Sequence, residues 1–100
     1  MVNTMDISMT NEGDRYEITL SGWLDNNTSS EFEKTMEQIP ESATWLTLDL
    51  TNLEYSSSAG VRQLVAAHKQ MKGNMTLKNV TPEVLDVLQM IGLDKRMNIE

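Results

Sequence analysis

Cysteine is absent from this chain of 100 residues, and histidine occurs only once. Without thiols the chain forms no disulfide, offers no thiolate ligand for zinc and has no cysteine nucleophile. The absence fits a reducing compartment, and we expect a cytoplasmic protein. His68 lies ten residues after Ser58, nearly three helical turns away on a shared helix, so it is not placed to act as that serine's general base.

Basic residues are also few, because 8 Lys and Arg stand against 15 Asp and Glu, for a formal net charge of −7. Nucleic acids and anionic membranes select clusters of Lys and Arg, so we expect neither as a partner. A protein with a basic patch is the better electrostatic match. No apolar run approaches the roughly 20 residues of a membrane-spanning helix, and the first residues lack the basic start and apolar centre of a signal peptide.

The rest of the composition is typical of a globular protein, with 39% hydrophobic and 23% charged residues. This composition and the length predict one domain over residues 1–100 with a single core. Neither a G-x-x-x-x-G-K-S/T loop nor a kinase glycine loop occurs, so the chain brings no ATP site of its own. The methionines are dispersed, and we predict no metal site and no cofactor.

Hydrophobic periodicity predicts alternating strands and helices. The predicted strands cover residues 5–9, 16–20, 45–50 and 75–80. The predicted helices begin near Thr28, Ser58 and Thr81 and end near Pro40, Gly73 and Gly92. Thr28 and Glu31 have the form of a capping box at the first helix. The order is β-β-α-β-α-β-α, in which a hairpin precedes strand–helix–strand units with parallel pairs. The tail after Gly92 is ambiguous and is compatible with one more helical turn.

Three consecutive serines, Ser56, Ser57 and Ser58, lie between the central strand and the second helix. A helix N-terminus has free N–H groups and a partial positive charge, which favours an anion, including a phosphate on a serine. From the residues alone, the simplest role for Ser58 is the N-cap, whose oxygen accepts a hydrogen bond from the first turn. Capping and phosphorylation are compatible.

Four segments carry a family resemblance. They are Gly22-Trp23-Leu24-Asp25 with Thr28, Leu48-Asp49-Leu50-Thr51-Asn52-Leu53, Ser57-Ser58-Ala59-Gly60-Val61 and Gly92-Leu93-Asp94-Lys95. Each is weak alone, but their order and spacing resemble the STAS domain, the fold shared by anti-sigma factor antagonists and the cytoplasmic ends of sulfate transporters. The resemblance covers nearly the whole chain. It implies an α/β, STAS-like fold with a mixed β-sheet and helices packed against it.

The resemblance also implies a function. In many antagonists of this family, an anti-sigma factor that is also a serine kinase phosphorylates a serine in this turn, and a serine phosphatase removes the phosphate. The unphosphorylated form binds the anti-sigma factor, and the phosphorylated form releases it. Matching the motif places the acceptor at Ser58. Ser57 and Ser56 remain alternatives, because Ser57 stands where sporulation-type proteins often have aspartate.

The same resemblance implies a partner-binding surface made by the serine turn and the loop before the first helix. Its predicted residues are Asp25, Asn26, Asn27, Thr28, Ser56, Ser57, Ser58, Ala59, Gly60 and Arg62. Ordinary structural roles compete with this interpretation: turn chemistry for residues 25–28, helix–sheet packing for Ala59 and Gly60, and solvation for Arg62. Trp23 is either a core residue or a contact anchor.

Two other functions compete with the antagonist. A non-switching STAS scaffold or a small-ligand-binding regulatory domain would share the fold without the phosphorylated serine. An enzyme is disfavoured, because no G-x-S-x-G motif occurs and Ser58 has no evident base. The identity of the kinase and the oligomeric state stay open.

Overall fold

The computed structural model describes residues 5–100, which form five strands and three α-helices. In chain order the elements are β1 (Met5–Glu12), β2 (Arg15–Leu24), α1 (Ser29–Glu37), β3 (Trp45–Ser56), α2 (Ser58–Gln70), β4 (Met75–Lys78), α3 (Pro82–Met90), a 3₁₀ turn (Leu93–Lys95) and β5 (Asn98–Ile99). The predicted order β-β-α-β-α-β-α is confirmed. The ambiguous tail contains the 3₁₀ turn and a short fifth strand.

The strands lie in the sheet in chain order, β1-β2-β3-β4-β5. Strands β1 and β2 pair antiparallel as a hairpin, and the remaining neighbours pair parallel. Each crossover therefore moves one strand further in the same direction. Since such crossovers are right-handed, all three helices fall on one face of the sheet. The parallel strands all end at the same edge.

The core lies between that face and the helices. Ile18, Leu48 and Leu77 are aligned across β2, β3 and β4, and each is fully buried. The alternate positions carry polar side chains such as Thr19 and Asp49, which face away from the helices. The strands therefore have the alternation that their sequences predict, with one apolar and one polar face. The helices complete the core with the buried side chains Phe32, Met36, Leu64, Ala67, Val84 and Leu88.

Strand β3 is longer than predicted, since it continues beyond Leu50 to Ser56. Strand β3 contains two bulges, at each of which it has one residue more than the facing segment of β2. The first follows Asp49 and the second follows Leu53. Each bulge resets the alternation, so Leu50, Leu53 and Ser56 are all buried although they are three residues apart. Asp49 holds the first bulge, where its Oδ1 accepts hydrogen bonds from the Thr51 N–H (3.0 Å) and hydroxyl (2.6 Å).

The predicted start of α3 is confirmed, but the end of α2 differs from the prediction. Thr81 precedes α3, although its hydroxyl donates to the Leu53 carbonyl at 2.9 Å instead of capping the helix. Helix α2 ends at Gln70, and Lys72 already has left-handed geometry (φ 54°) before Gly73 (φ 86°). Within residues 5–100, no helix is both long enough and apolar enough to cross a membrane.

Candidate functional site

The two loops predicted to form a surface lie side by side. Leu24 and Ser56, the last residues of β2 and β3, are paired in the sheet, and the Ser57 N–H donates to the Leu24 carbonyl at 2.9 Å. The loop after β2 and the start of α2 therefore meet at the carboxyl edge of the parallel strands. In open α/β sheets this edge is the usual place for a binding site.

The three serines have three different environments. The Ser56 side chain is buried (2% exposed), and its hydroxyl donates to the Ser57 carbonyl at 3.2 Å. Ser57 is half-buried and is the N-cap of α2, where its Oγ accepts a hydrogen bond from the Gly60 N–H at 3.2 Å. Ser58 is the first residue of α2 and is exposed. The prediction that Ser58 caps the helix is therefore wrong by one residue.

The extension of β3 explains this shift. Because the strand runs to Ser56, only Ser57 lies between strand and helix, with extended backbone geometry (φ −79°, ψ 175°). An N-cap residue needs such non-helical geometry, so the cap falls on Ser57. Ser58 is then the first helical residue, and it is exposed.

Gly60 is part of the interior packing. It is buried, and a Cβ atom there would lie 2.5 Å from the Leu24 carbonyl oxygen and 2.5 Å from the Ser56 Oγ. Only glycine permits this close approach of α2 to the end of β2. Ala59 and Gly60 were each expected either to pack the helix against the sheet or to contact a partner. The geometry supports the packing role for Gly60, and Ala59 is half-buried.

The loop before α1 has an inward and an outward half. Asp25 and Thr28 are buried: the Asp25 Oδ1 accepts from the Asn27 N–H (2.9 Å), and the Thr28 hydroxyl donates to the Trp23 carbonyl (2.7 Å). The Asp25 N–H donates in turn to the Thr28 Oγ (2.9 Å). The predicted capping box is therefore wrong, because the Thr28 hydroxyl faces the preceding chain. Asn26 and Asn27 are exposed.

An apolar groove between α2 and α3, which the sequence analysis did not identify, begins at Ser58. Its volume is about 720 Å³. The aliphatic side chains that line it are Val61, Val65, Ala66, Val87, Ile91 and Leu93. Tyr55 (41% exposed) and Ile91 (54% exposed) contribute large exposed apolar surface. The sequence carries no signal for the groove: Leu64 and Val65 belong to one apolar stripe on α2, and only the structure shows that Leu64 is fully buried while Val65 is half-buried.

Aromatic and basic side chains border this groove. The Trp23 ring stacks on Tyr55 with centroids 4.7 Å apart and the planes tilted by 44°. Trp23 is half-buried at the carboxyl edge, so it is available as a contact residue. Arg62 and Lys69 are both exposed and line the groove. Arg62 follows Ser58 by four residues, which places the two side chains on neighbouring turns of one helix face.

The carboxylate of Asp49, at the first bulge of β3, has a perturbed pKa. Hydrogen bonding from the Thr51 hydroxyl, with smaller contributions from the Thr51 N–H, Asn79 and Lys78, holds the pKa of Asp49 below its usual value, although desolvation acts in the opposite direction. Asp49 therefore has a structural role at the first bulge of β3. Among residues 5–100, no group of three or more His, Asp or Glu side chains is arranged to hold a metal ion.

Comparison with known proteins identifies the family. An anti-sigma factor antagonist from Mycobacterium paratuberculosis is similar in structure, with a TM-score of 0.86 and 19% identity over 96% of this chain and 85% of that one. The anti-sigma factor antagonist SpoIIAA in its unphosphorylated form has a TM-score of 0.77 and 22% identity, covering 97% of this chain and 88% of its own. SpoIIAA of Bacillus in the phosphorylated form has a TM-score of 0.64 and 20% identity, covering 97% and 91%.

At these identities the solved structures show a shared fold. No curated protein sequence matches the chain significantly. The family model described as "Mlab, STAS domain" matches residues 7–99. That span includes both loops, the three serines and the groove, and the chain therefore belongs to the STAS domain family.

Proposed function

We propose that this protein is an anti-sigma factor antagonist that binds an anti-sigma factor with serine kinase activity and is released when Ser58 is phosphorylated. The observation that carries the proposal is that Ser58, the first residue of α2, is exposed at the edge where the end of β2 is bonded to the start of α2 through the Ser57 N–H and the Leu24 carbonyl. A kinase can reach the Ser58 hydroxyl, and a bound partner would cover it.

Exposure favours Ser58 over its two neighbours as the acceptor. Ser56 is buried, so its hydroxyl reaches a kinase only if the end of β3 separates from the core. The Ser57 Oγ accepts the N-cap hydrogen bond from the Gly60 N–H. Phosphorylation of Ser57 would disrupt this bond and add a bulky group at a half-buried position. Ser58 requires neither change.

The local charge supports a switch that acts on binding without refolding. A phosphate adds a charge of about −1.5 to −2 and three acceptor oxygens at neutral pH. At Ser58 it would lie at the positive end of the α2 dipole and one turn from Arg62, both of which stabilise it. A partner packed over the turn would instead meet a bulky, strongly hydrated anion, which costs affinity through steric overlap and desolvation.

Of the ten predicted contact residues, four are exposed, four are buried, and Ser57 and Ala59 are half-buried. Asn26, Asn27, Ser58 and Arg62 are exposed and would contact the partner directly. Asp25, Thr28, Ser56 and Gly60 are buried, so they would support the surface by fixing the two loops. Solved structures of SpoIIAA in unphosphorylated and phosphorylated forms both match this chain, which supports a fold compatible with either state.

Phosphorylation of the wild-type chain and three variants tests the acceptor. Each anti-sigma-type serine kinase encoded in the same genome would be incubated with ATP and the protein, and the modified residue mapped by mass spectrometry. We expect one phosphate on Ser58 in wild type, none in Ser58→Ala, and normal phosphorylation in Ser57→Ala. Ser30→Ala is the matched control, since Ser30 is also exposed near a helix start.

The contradicting results are specific. Phosphate on Ser57 or Ser56 in the folded wild-type protein would reject Ser58 as the acceptor. Absence of modification with every kinase would reject the switch and favour a non-switching STAS scaffold.

A further inference from the structure

We propose that the groove between α2 and α3 binds an amphiphilic anion, an aliphatic chain that ends in a carboxylate. This goes beyond the proposed function, and it does not depend on phosphorylation. The groove walls are built from short aliphatic side chains on both helices and the 3₁₀ turn: Val61, Val65, Ala66, Val87, Ile91 and Leu93. The volume of about 720 Å³ lies within the range of small-molecule sites.

The charge of the lining selects an anion. The chain has 15 acidic and 8 basic residues, yet the charged residues that line the groove are Arg62 and Lys69, both basic. They lie seven residues apart on α2, which places them two turns apart on the same face. A carboxylate at this rim gains charge-assisted hydrogen bonds, whereas a cationic head group is repelled.

The walls also favour a hydrocarbon chain over an extended peptide. A peptide in a strand conformation brings N–H and C=O groups that must find partners when buried. Valine, alanine, isoleucine and leucine side chains provide none. An aliphatic chain needs no such partners and gains free energy from each buried methylene.

A titration with dodecanoate tests the proposal on the whole chain. Dodecanoate would be added below its micelle concentration while amide shifts are followed by NMR, with dodecyltrimethylammonium and dodecanol as probes of the same chain length. We expect saturable one-to-one binding, with shift changes concentrated at Val61, Ala66 and Val87. The alcohol should bind more weakly, and the ammonium should give no saturable shifts.

Variants locate the apolar and the charged parts of the site. Ala66→Trp fills the groove and should abolish binding, whereas Ser30→Trp on α1 should leave it unchanged. Both positions are exposed, so the added ring does not disturb the core. Arg62→Ala combined with Lys69→Ala should weaken dodecanoate binding about tenfold. Lys34→Ala, which removes an exposed cation from α1, is the matched control.

Three results would overturn the proposal. The first is equal affinity for dodecyltrimethylammonium and dodecanoate, because the two basic side chains would then not distinguish an anionic from a cationic head group. The second is full binding by Ala66→Trp, which would place the ligand elsewhere. The third is the absence of saturable shifts with dodecanoate. If an anti-sigma factor protects the same amides while dodecanoate does not bind, the groove is a protein contact instead.

Discussion

Ser56, Ser57 and Ser58 carry the same hydroxyl group but differ in the direction in which the backbone points it. Ser56, at the end of β3, is buried. The Oγ of Ser57, between strand and helix, accepts a hydrogen bond from the Gly60 N–H, and Ser58, the first residue of α2, is exposed. Side-chain chemistry alone does not separate the three. Burial separates them, and Ser58 is the most exposed of the three.

Replacing Ser57 tests the cap. Because the Ser57 Oγ satisfies a free N–H group of the first turn, Ser57→Ala should lower the free energy of unfolding by about 1 kcal/mol. Ser58→Ala removes an exposed hydroxyl from the next position and should change stability by less than about 0.5 kcal/mol. Urea denaturation of both variants measures the difference. The reverse order of effects would place the cap on Ser58.

The pKa of Asp49 makes one contribution to stability dependent on pH. Since hydrogen bonds from Thr51 lower the folded-state pKa, the ionised carboxylate stabilises the fold above the unfolded-state pKa, and this stabilisation is lost as the pH falls through the lower folded value. A carbon NMR titration should therefore give a pKa below 3.8 for Asp49.

Two variants complete this test. Thr51→Val removes the hydroxyl that contributes most and should raise the pKa of Asp49 towards its usual value. Asp49→Asn should be less stable than wild type at neutral pH, and the difference should disappear below the folded-state pKa. A pKa of Asp49 above 3.8 in the wild-type protein would refute this account of the bulge.

The packing of α2 against the end of β2 depends on Gly60. A methyl group there overlaps the Leu24 carbonyl oxygen, which belongs to the sheet backbone and has little freedom to move. Gly60→Ala should therefore cost at least about 1 kcal/mol, even though alanine is the better helix former.

Ser58→Ala in the same turn is the matched control, and thermal or urea unfolding is the measurement. Since the Ser57 N–H also bonds to Leu24, Gly60→Ala should perturb the NMR signals of both loops. A Gly60→Ala protein as stable as wild type would show that this contact does not fix the helix.

The order of the elements could be predicted from the sequence, but the serine turn could not be predicted in detail. Alternation in the strands and apolar spacing in the three helices predict the order β-β-α-β-α-β-α. Because of the bulges in β3, the buried residues Leu50, Leu53 and Ser56 are three residues apart. The second half of the strand therefore lacks the two-residue apolar alternation by which a strand is recognised in a sequence. The strand end was therefore placed too early, and the cap was assigned to Ser58.

The caps and the groove depend on contacts that are distant in sequence. Thr28 matches a capping box locally, yet its hydroxyl bonds to the Trp23 carbonyl because the loop closes on the end of β2. Val65 fits the core stripe of α2, but it faces the groove because α3 does not cover it completely. Periodicity identifies an apolar face and does not reveal how much of it a neighbour covers.

For the whole molecule, the topology brings the residues of the proposed binding surface to one edge of the sheet. The parallel strands end together, so the loop after β2, the start of α2 and the groove beside α3 form one continuous surface. The apolar face of the sheet lies under the helices, and its other face is polar. Ser58 lies on this surface, outside the buried core that includes Ile18 and Leu77. The proposed switch therefore needs no rearrangement of the fold.

The most direct measurement compares two forms of the protein that differ only by a phosphate on Ser58, introduced as phosphoserine during synthesis. Calorimetry with the cognate anti-sigma kinase should show binding of the unmodified protein and at least about a hundredfold weaker binding of the phosphorylated one. Both forms should unfold cooperatively with similar free energies, and phosphoserine at Ser30 should leave the affinity unchanged. Equal affinity of the unmodified and Ser58-phosphorylated proteins for the kinase would contradict the account.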